Sequence, residues 1–144
     1  MEKKIYGVEA FLNRPKALEE EIRGDIDHVA SLRSIVEKTT THLSFTAGRN
    51  PSKNEKAFEN VMIQIAEEEK KLEAKQKRLV ELKLEVENFI NSLPKKEYRT
   101  FLRLRYISGR EMPQIRAIMN LPKTTCFDLQ ISALAAAEEK YLRK

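Results

Sequence analysis

Cysteine occurs once in the chain, at Cys126. A single thiol excludes an intrachain disulfide and a multi-cysteine zinc site. Tryptophan is absent and only four glycines occur in 144 residues, so long stretches carry no helix breaker. No apolar run approaches ~18 residues, which excludes a transmembrane span. The start, Met1 to Leu12, mixes acidic and basic residues and lacks the apolar centre of a secretory signal. A cytoplasmic protein is the expectation. A phosphate-cradling glycine loop, a nucleophile elbow and a Ser/His/Asp context are all missing. His28 and His42 stand alone, without a neighbouring Cys-His cluster. Neither an enzyme nor a metal or cofactor site is expected.

What is present is charge and helix-forming side chains. Apolar residues make up 41% and charged residues 34%. Lys, Glu, Leu, Ala and Arg dominate, the composition of long helices, and the expected fold class is all-α. The net charge of +5 is unevenly spread. Met1 to Leu93 holds 16 Lys+Arg against 17 Asp+Glu, a net of −1, whereas Pro94 to Lys144 holds 11 against 5, a net of +6. A basic unit joined to a neutral one suggests a polyanion as partner of the basic unit. The acidic triplets Glu19-Glu20-Glu21 and Glu67-Glu68-Glu69 lie beside Arg23, Lys70 and Lys71, and read as solvated helix faces rather than catalytic acids.

Two regions follow, with an expected boundary at 93/94. In the first, Leu18, Ile22, Val29, Leu32, Val36 and Leu43 recur at helical spacing after Pro15, with Ile26 and Ile35 widening the stripe. Ile5 to Leu12 suggests a short preceding helix. Residues 39–56 contain three Thr in a row and then Gly48, Arg49, Asn50 and Pro51, loop signals that predict either a mobile loop or a stretch partly helical at its ends. Beyond it Phe58, Val61, Ile65, Glu68, Leu72, Lys75, Leu79, Leu82, Val86, Phe89 and Leu93 alternate in steps of three and four. That is a coiled-coil seam with two polar interruptions, roughly 54 Å long at ~1.5 Å per residue. A hairpin with the first helix is expected. Because the seam outruns that helix, a homo-oligomer, a dimer or higher, is expected on top of it.

From Pro94 onward the pattern changes to short helices. Pro94 suits the first turn of a helix whose apolar face is Phe101, Leu102, Leu104 and Tyr106. Ser108-Gly109 ends it. Pro113 opens a helix with Ile115, Ile118 and Met119, Asn120-Leu121-Pro122 makes a turn, and a last helix starts at Lys123. This order is that of a helix-turn-helix. On the last helix Cys126, Leu129, Ala133, Ala136 and Ala137 form an apolar arc, which Phe127, Ile131 and Leu134 extend. Thr124, Thr125, Asp128, Ser132 and Glu139 form the polar face, without Lys or Arg.

Leu102-Arg103-Leu104-Arg105-Tyr106, Gly109, Gln114-Ile115, Met119-Asn120-Leu121, Thr125-Cys126 and Ala133-Leu134, in that order, resemble region 4 of sigma-70-type factors. With the helical pair upstream, the chain is similar to the ArpU/RinA-like regulators of phages and prophages, which are linked to late-gene transcription. The resemblance implies a last helix entering the DNA major groove, with Lys123, Thr124, Phe127, Asp128 and Ser132 facing the DNA. Arg116 departs from the family's usual Ala. From the residues themselves, Thr125 joins the polar face. Lys95, Lys96, Arg99, Arg103, Arg105, Arg110, Arg116 and Lys123 surround the motif as a rim for phosphates. The expectation is a transcriptional regulator binding double-stranded DNA, and a fragment 94–144 is expected to keep weak binding. An adaptor that binds RNA polymerase or another phage protein remains open, as does a small-terminase-like packaging factor.

Overall fold

Forty residues without Gly or Pro, Ser52 to Asn91, leave the chain nothing to break a helix with. In a computed structural model describing residues 7–45 and 52–143, with side chains for 7–39 and 55–143, that stretch is one helix. The described residues form α1 (Gly7–Leu12), α2 (Arg14–Phe45), α3 (Ser52–Asn91), α4 (Lys96–Leu102), a π-helical turn (Arg103–Ile107), α5 (Met112–Met119) and α6 (Lys123–Leu142). The protein is all-α. Among the described residues, no helix is long and apolar enough to cross a membrane.

The polar stretch is helical at both ends, the second of the two readings. Residues 39–45 belong to α2 and Ser52 onward to α3. The Thr39 hydroxyl donates to the Ile35 carbonyl at 2.8 Å, so this Thr bonds back onto its own helix instead of opening a turn. Ile5, Gly48, Arg49, Asn50 and Pro51 lie outside the described residues, as do the side chains of His42 and Leu43.

The packing divides the chain elsewhere than at 93/94. Glu19–Arg78 makes one unit, and the described residues up to Leu18 and from Leu79 make the other. In the first unit α2 and α3 run antiparallel: Lys75 meets Glu21 and Asp25, whereas Arg33, further along α2, meets Glu69, earlier on α3. Val29, Leu32 and Ile65 are buried between them. Lys75 occupies a seam position, where its ammonium sits 2.8 Å from Glu21 Oε1 and 2.6 Å from Asp25 Oδ2. Hydrogen bonds to these two carboxylates hold its pKa above the ordinary lysine value. A cation answered by two acids on the facing helix fixes which turn of α2 lies opposite which turn of α3.

In the second unit the core is drawn from both ends of the chain. Val8, Phe11 and Leu12 of α1 lie against Val86, Phe89 and Ile90 of α3, and against Leu93, Phe101, Leu102, Ile115, Cys126, Ala133, Leu134 and Ala137. Seven of these fourteen buried residues precede Pro94. The boundary at 93/94 therefore cuts through a core. The last seam residues, Val86, Phe89 and Leu93, are covered inside this unit, so the length of the seam is no argument for a second copy.

Candidate nucleic-acid interface

Basic side chains first close the end of α3. Lys140 donates to the Ser92 carbonyl at 2.6 Å, and Arg99 donates to the carbonyls of Leu93 at 2.6 Å and Pro94 at 3.1 Å. Cations satisfying the free carbonyls at a helix C-terminus are favourable in both hydrogen bonding and dipole. Pro94 itself precedes the N-cap Lys95 of α4, rather than sitting in the helix's first turn.

After Leu102 the backbone widens into the π-helical turn, which ends where the Ser108 N–H reaches the Arg103 carbonyl at 3.0 Å. Gly109, at φ +67°, lets the Arg110 N–H return to the Leu104 carbonyl at 2.9 Å. That left-handed conformation strains any residue with a Cβ. Leu104, Tyr106 and Ile107 pack partly buried on the core. Burial pushes the Tyr106 hydroxyl up to about 12, with a further upward push from Glu9 and a downward one from Arg105.

Helix α5 begins with a capping box. Glu111 accepts from the backbone N–H of Gln114, and the Gln114 side chain accepts from the Glu111 N–H at 3.0 Å. Ile115 anchors the helix in the core. The helix stops at Asn120, which adopts φ 55° and ψ 52°. The Leu121 N–H then bonds to the Arg116 carbonyl at 3.0 Å. Asn tolerates the left-handed region better than most L-residues, and Gly tolerates it fully. Asn120→Ala is expected to cost about 1–2 kcal/mol and Asn120→Gly to be neutral or stabilising. Urea midpoints compare the two; equal loss in both variants would mean the backbone conformation is not what Asn120 supplies.

Pro122 caps α6, whose buried side is Cys126, Ala133, Leu134 and Ala137. The small residues among them let the helix approach the core closely. The apolar arc is narrower than its sequence pattern, for Phe127 and Ile131 do not join the core: they are 56% and 45% exposed. Ile118 of α5 is exposed as well. Thr124, Thr125, Asp128 and Ser132 are exposed as expected.

Residues 45–138 match the family described as "Protein of unknown function (DUF1492)". The chain belongs to that family. No curated protein and no solved structure matches it. The DUF1492 match contains all nine expected site residues and stops short of α1, which completes the core beneath them.

The expected cationic rim falls into two groups. Arg99 is spent on the carbonyls of Leu93 and Pro94 that follow α3, Arg103 on the Asn91 side chain, and Arg105 on Glu111 at 3.3 Å and the Arg110 carbonyl at 3.2 Å. Lys95 lies over the Tyr98 ring at 5.2 Å. Arg110, Arg116 and Lys123 make no ion pair or side-chain hydrogen bond among the described residues. Arg116 is half-buried, and the other eight site residues are exposed. Arg116, Lys123, Thr124 and Phe127 come together along an open groove of about 620 Å³ between α5 and α6, completed by Met112, Pro113 and Gln130. Thr125, Asp128, Ser132, Arg103 and Arg110 do not line it. Sequence reasoning passed over Met112, Pro113 and Gln130. Gln130 carried a usable signal, since it follows Lys123 and Phe127 at steps of four and three on one helix face.

Proposed function

We propose that this DUF1492 chain is a phage- or prophage-type transcriptional regulator that binds promoter DNA through a C-terminal helix-turn-helix, with α5 as its first helix and α6 as the recognition helix. One observation carries the reading. A short helix, a three-residue turn through left-handed Asn120 and a longer helix present the start of α6 outward, and along the groove beside it lie two cations, Arg116 and Lys123, without a partner among the described residues. An outward-facing second helix is what enters a major groove, and cations without protein partners are available to phosphates. The ordered resemblance to sigma-70 region 4 supports the same reading, as does the +6 charge of residues 94–144. The protein would act in the cytoplasm, where that DNA is.

Titrating the full chain onto a fluorescent random-sequence duplex tests this. Binding should weaken linearly on a log–log plot between ~50 and ~200 mM salt, as phosphate-driven association does. Absence of binding at the lowest salt, or an affinity indifferent to salt, would remove the proposal.

A further inference from the structure

The polar face of α6 poses a chemical problem for a DNA reader. Past Lys123 at the helix start, the exposed side chains of this face as far as Ser132 are Thr124, Thr125, Asp128 and Ser132, all short. None is the Arg or Lys that pairs with guanine, nor the Asn or Gln that pairs with adenine. Gln130 lines the groove but is half-buried. Beside these polar groups α6 also exposes large apolar side chains, Phe127 and Ile131. Thr124, Phe127 and Ile131 follow one another at steps of three and four, so they form one stripe. Phe127 lines the groove together with Thr124, Lys123, Arg116, Met112 and Pro113. Single exposed apolar residues are ordinary; here an aromatic ring, an isoleucine and a threonine methyl gather on one helix face, near two cations without a partner among the described residues.

A matching surface carries anions at its edges and apolar points between them. The major groove of duplex DNA is such a surface: phosphates line both walls, and each thymine projects a C5-methyl from the floor. We propose that Phe127, with Ile131 and the Thr124 methyl, reads thymine C5-methyl groups, so that this protein selects thymine-rich sites by apolar contact rather than by bidentate hydrogen bonds. The inference rests on the helix-turn-helix reading and deepens it by naming the class of sequence. Asp128, next to Phe127, opposes nearby phosphates and accepts from a cytosine or adenine amine. It therefore adds a polar check beside the methyl contacts.

The experiment removes methyls and nothing else. A random-sequence duplex pool is amplified with dTTP or with dUTP, and full-length protein is titrated onto each. Uracil keeps the hydrogen-bonding edge of thymine and lacks only the methyl. Burying one methyl at ~0.8 kcal/mol corresponds to about fourfold in affinity, and two methyls to about 15-fold. The thymine pool should bind more tightly by that factor, and its tightest fraction should be enriched in thymine. In Phe127→Ala the ratio should fall toward one while binding persists through Arg116 and Lys123. Phe127→Leu, which keeps the apolar bulk, should retain most of the ratio. Equal binding of the two pools by the wild-type protein overturns this inference and leaves the DNA-binding reading standing. So does a thymine preference that survives Phe127→Ala, because Phe127 would then not be its source. No binding to either pool overturns both readings, and would leave the groove to an acidic protein surface.

Discussion

Phe11→Ala should destabilise the unit that holds α6 by about 3–5 kcal/mol, the usual cost of truncating a buried phenylalanine. Phe11 is 7% exposed. Its ring meets Phe89 edge-on at 5.3 Å and Tyr141 at 5.5 Å, and Arg14 lies over it at 5.5 Å. Phe89 and Tyr141 also meet edge-on, at 6.2 Å. Three aromatic rings thus tie α1, the end of α3 and the end of α6 together. The first N–H groups of α1 need a partner of their own, and the Val8 N–H finds Glu138 of α6 at 2.8 Å. By the same argument a fragment 94–144 should not fold alone. It lacks seven of the fourteen core residues, and a domain of roughly 50 residues has little stability to lose. The expectation that this fragment keeps weak DNA binding is therefore withdrawn. Circular dichroism and urea unfolding check both points. A cooperative transition in the fragment at the full-length midpoint would show that α1 is dispensable. Ile131→Ala, at an exposed position, should change stability by no more than about 0.5 kcal/mol.

The importance of α1 was hard to see because its signal is not periodic. Six residues make less than two helical turns, and Val8, Phe11 and Leu12 acquire meaning only from partners more than seventy residues away. The α3 seam was readable for the opposite reason. All eleven residues from Phe58 to Leu93 are buried or half-buried, including Glu68 and Lys75, since a step of three and four over ten turns leaves no competing pattern. Local chemistry was legible where one residue decides the backbone: Gly109 and Asn120 occupy the two positive-φ positions among the described residues. It left two readings open at Thr39, whose hydroxyl can open a turn or bond back onto its own helix. The π-helical turn left no trace in the sequence, because an extra residue per turn shifts a face without changing composition. On α6 the apolar arc drawn from spacing was too wide. The core accepts Cys126, Ala133 and Ala137, and the bulk of Phe127 and Ile131 stays outside. Of the rim, sequence counted every cation alike; pairing, which needs coordinates, separates Arg99 and Arg105 from Arg110, Arg116 and Lys123.

That separation predicts which cations DNA feels. The triple variant Arg110→Gln, Arg116→Gln, Lys123→Gln should lower the slope of log K against log salt by about 2.7, at about 0.9 for each phosphate no longer neutralised. Over a rise from ~50 to ~200 mM salt, one such phosphate accounts for about 3.5-fold in affinity and three for about 40-fold. Glutamine keeps most of each side chain's length, so the half-buried stem of Arg116 still covers its neighbours. Helix α5 should survive, because its end is held by the Arg116 carbonyl and not by the guanidinium. Arg143→Gln and Lys77→Gln are the controls. Their charges already face Glu139 at 2.6 Å and Glu73 at 3.8 Å, and neither should move the slope. Asp128→Asn should act in the opposite direction, raising affinity for every sequence by removing a negative charge from the face proposed to meet DNA. Salt titrations of all four proteins beside the wild type read these effects directly. An unchanged slope in the triple variant would show that phosphates are met elsewhere. A large fall in Lys77→Gln would place them in the 19–78 unit, and the assignment of α5 and α6 as the DNA-binding element would have to be given up.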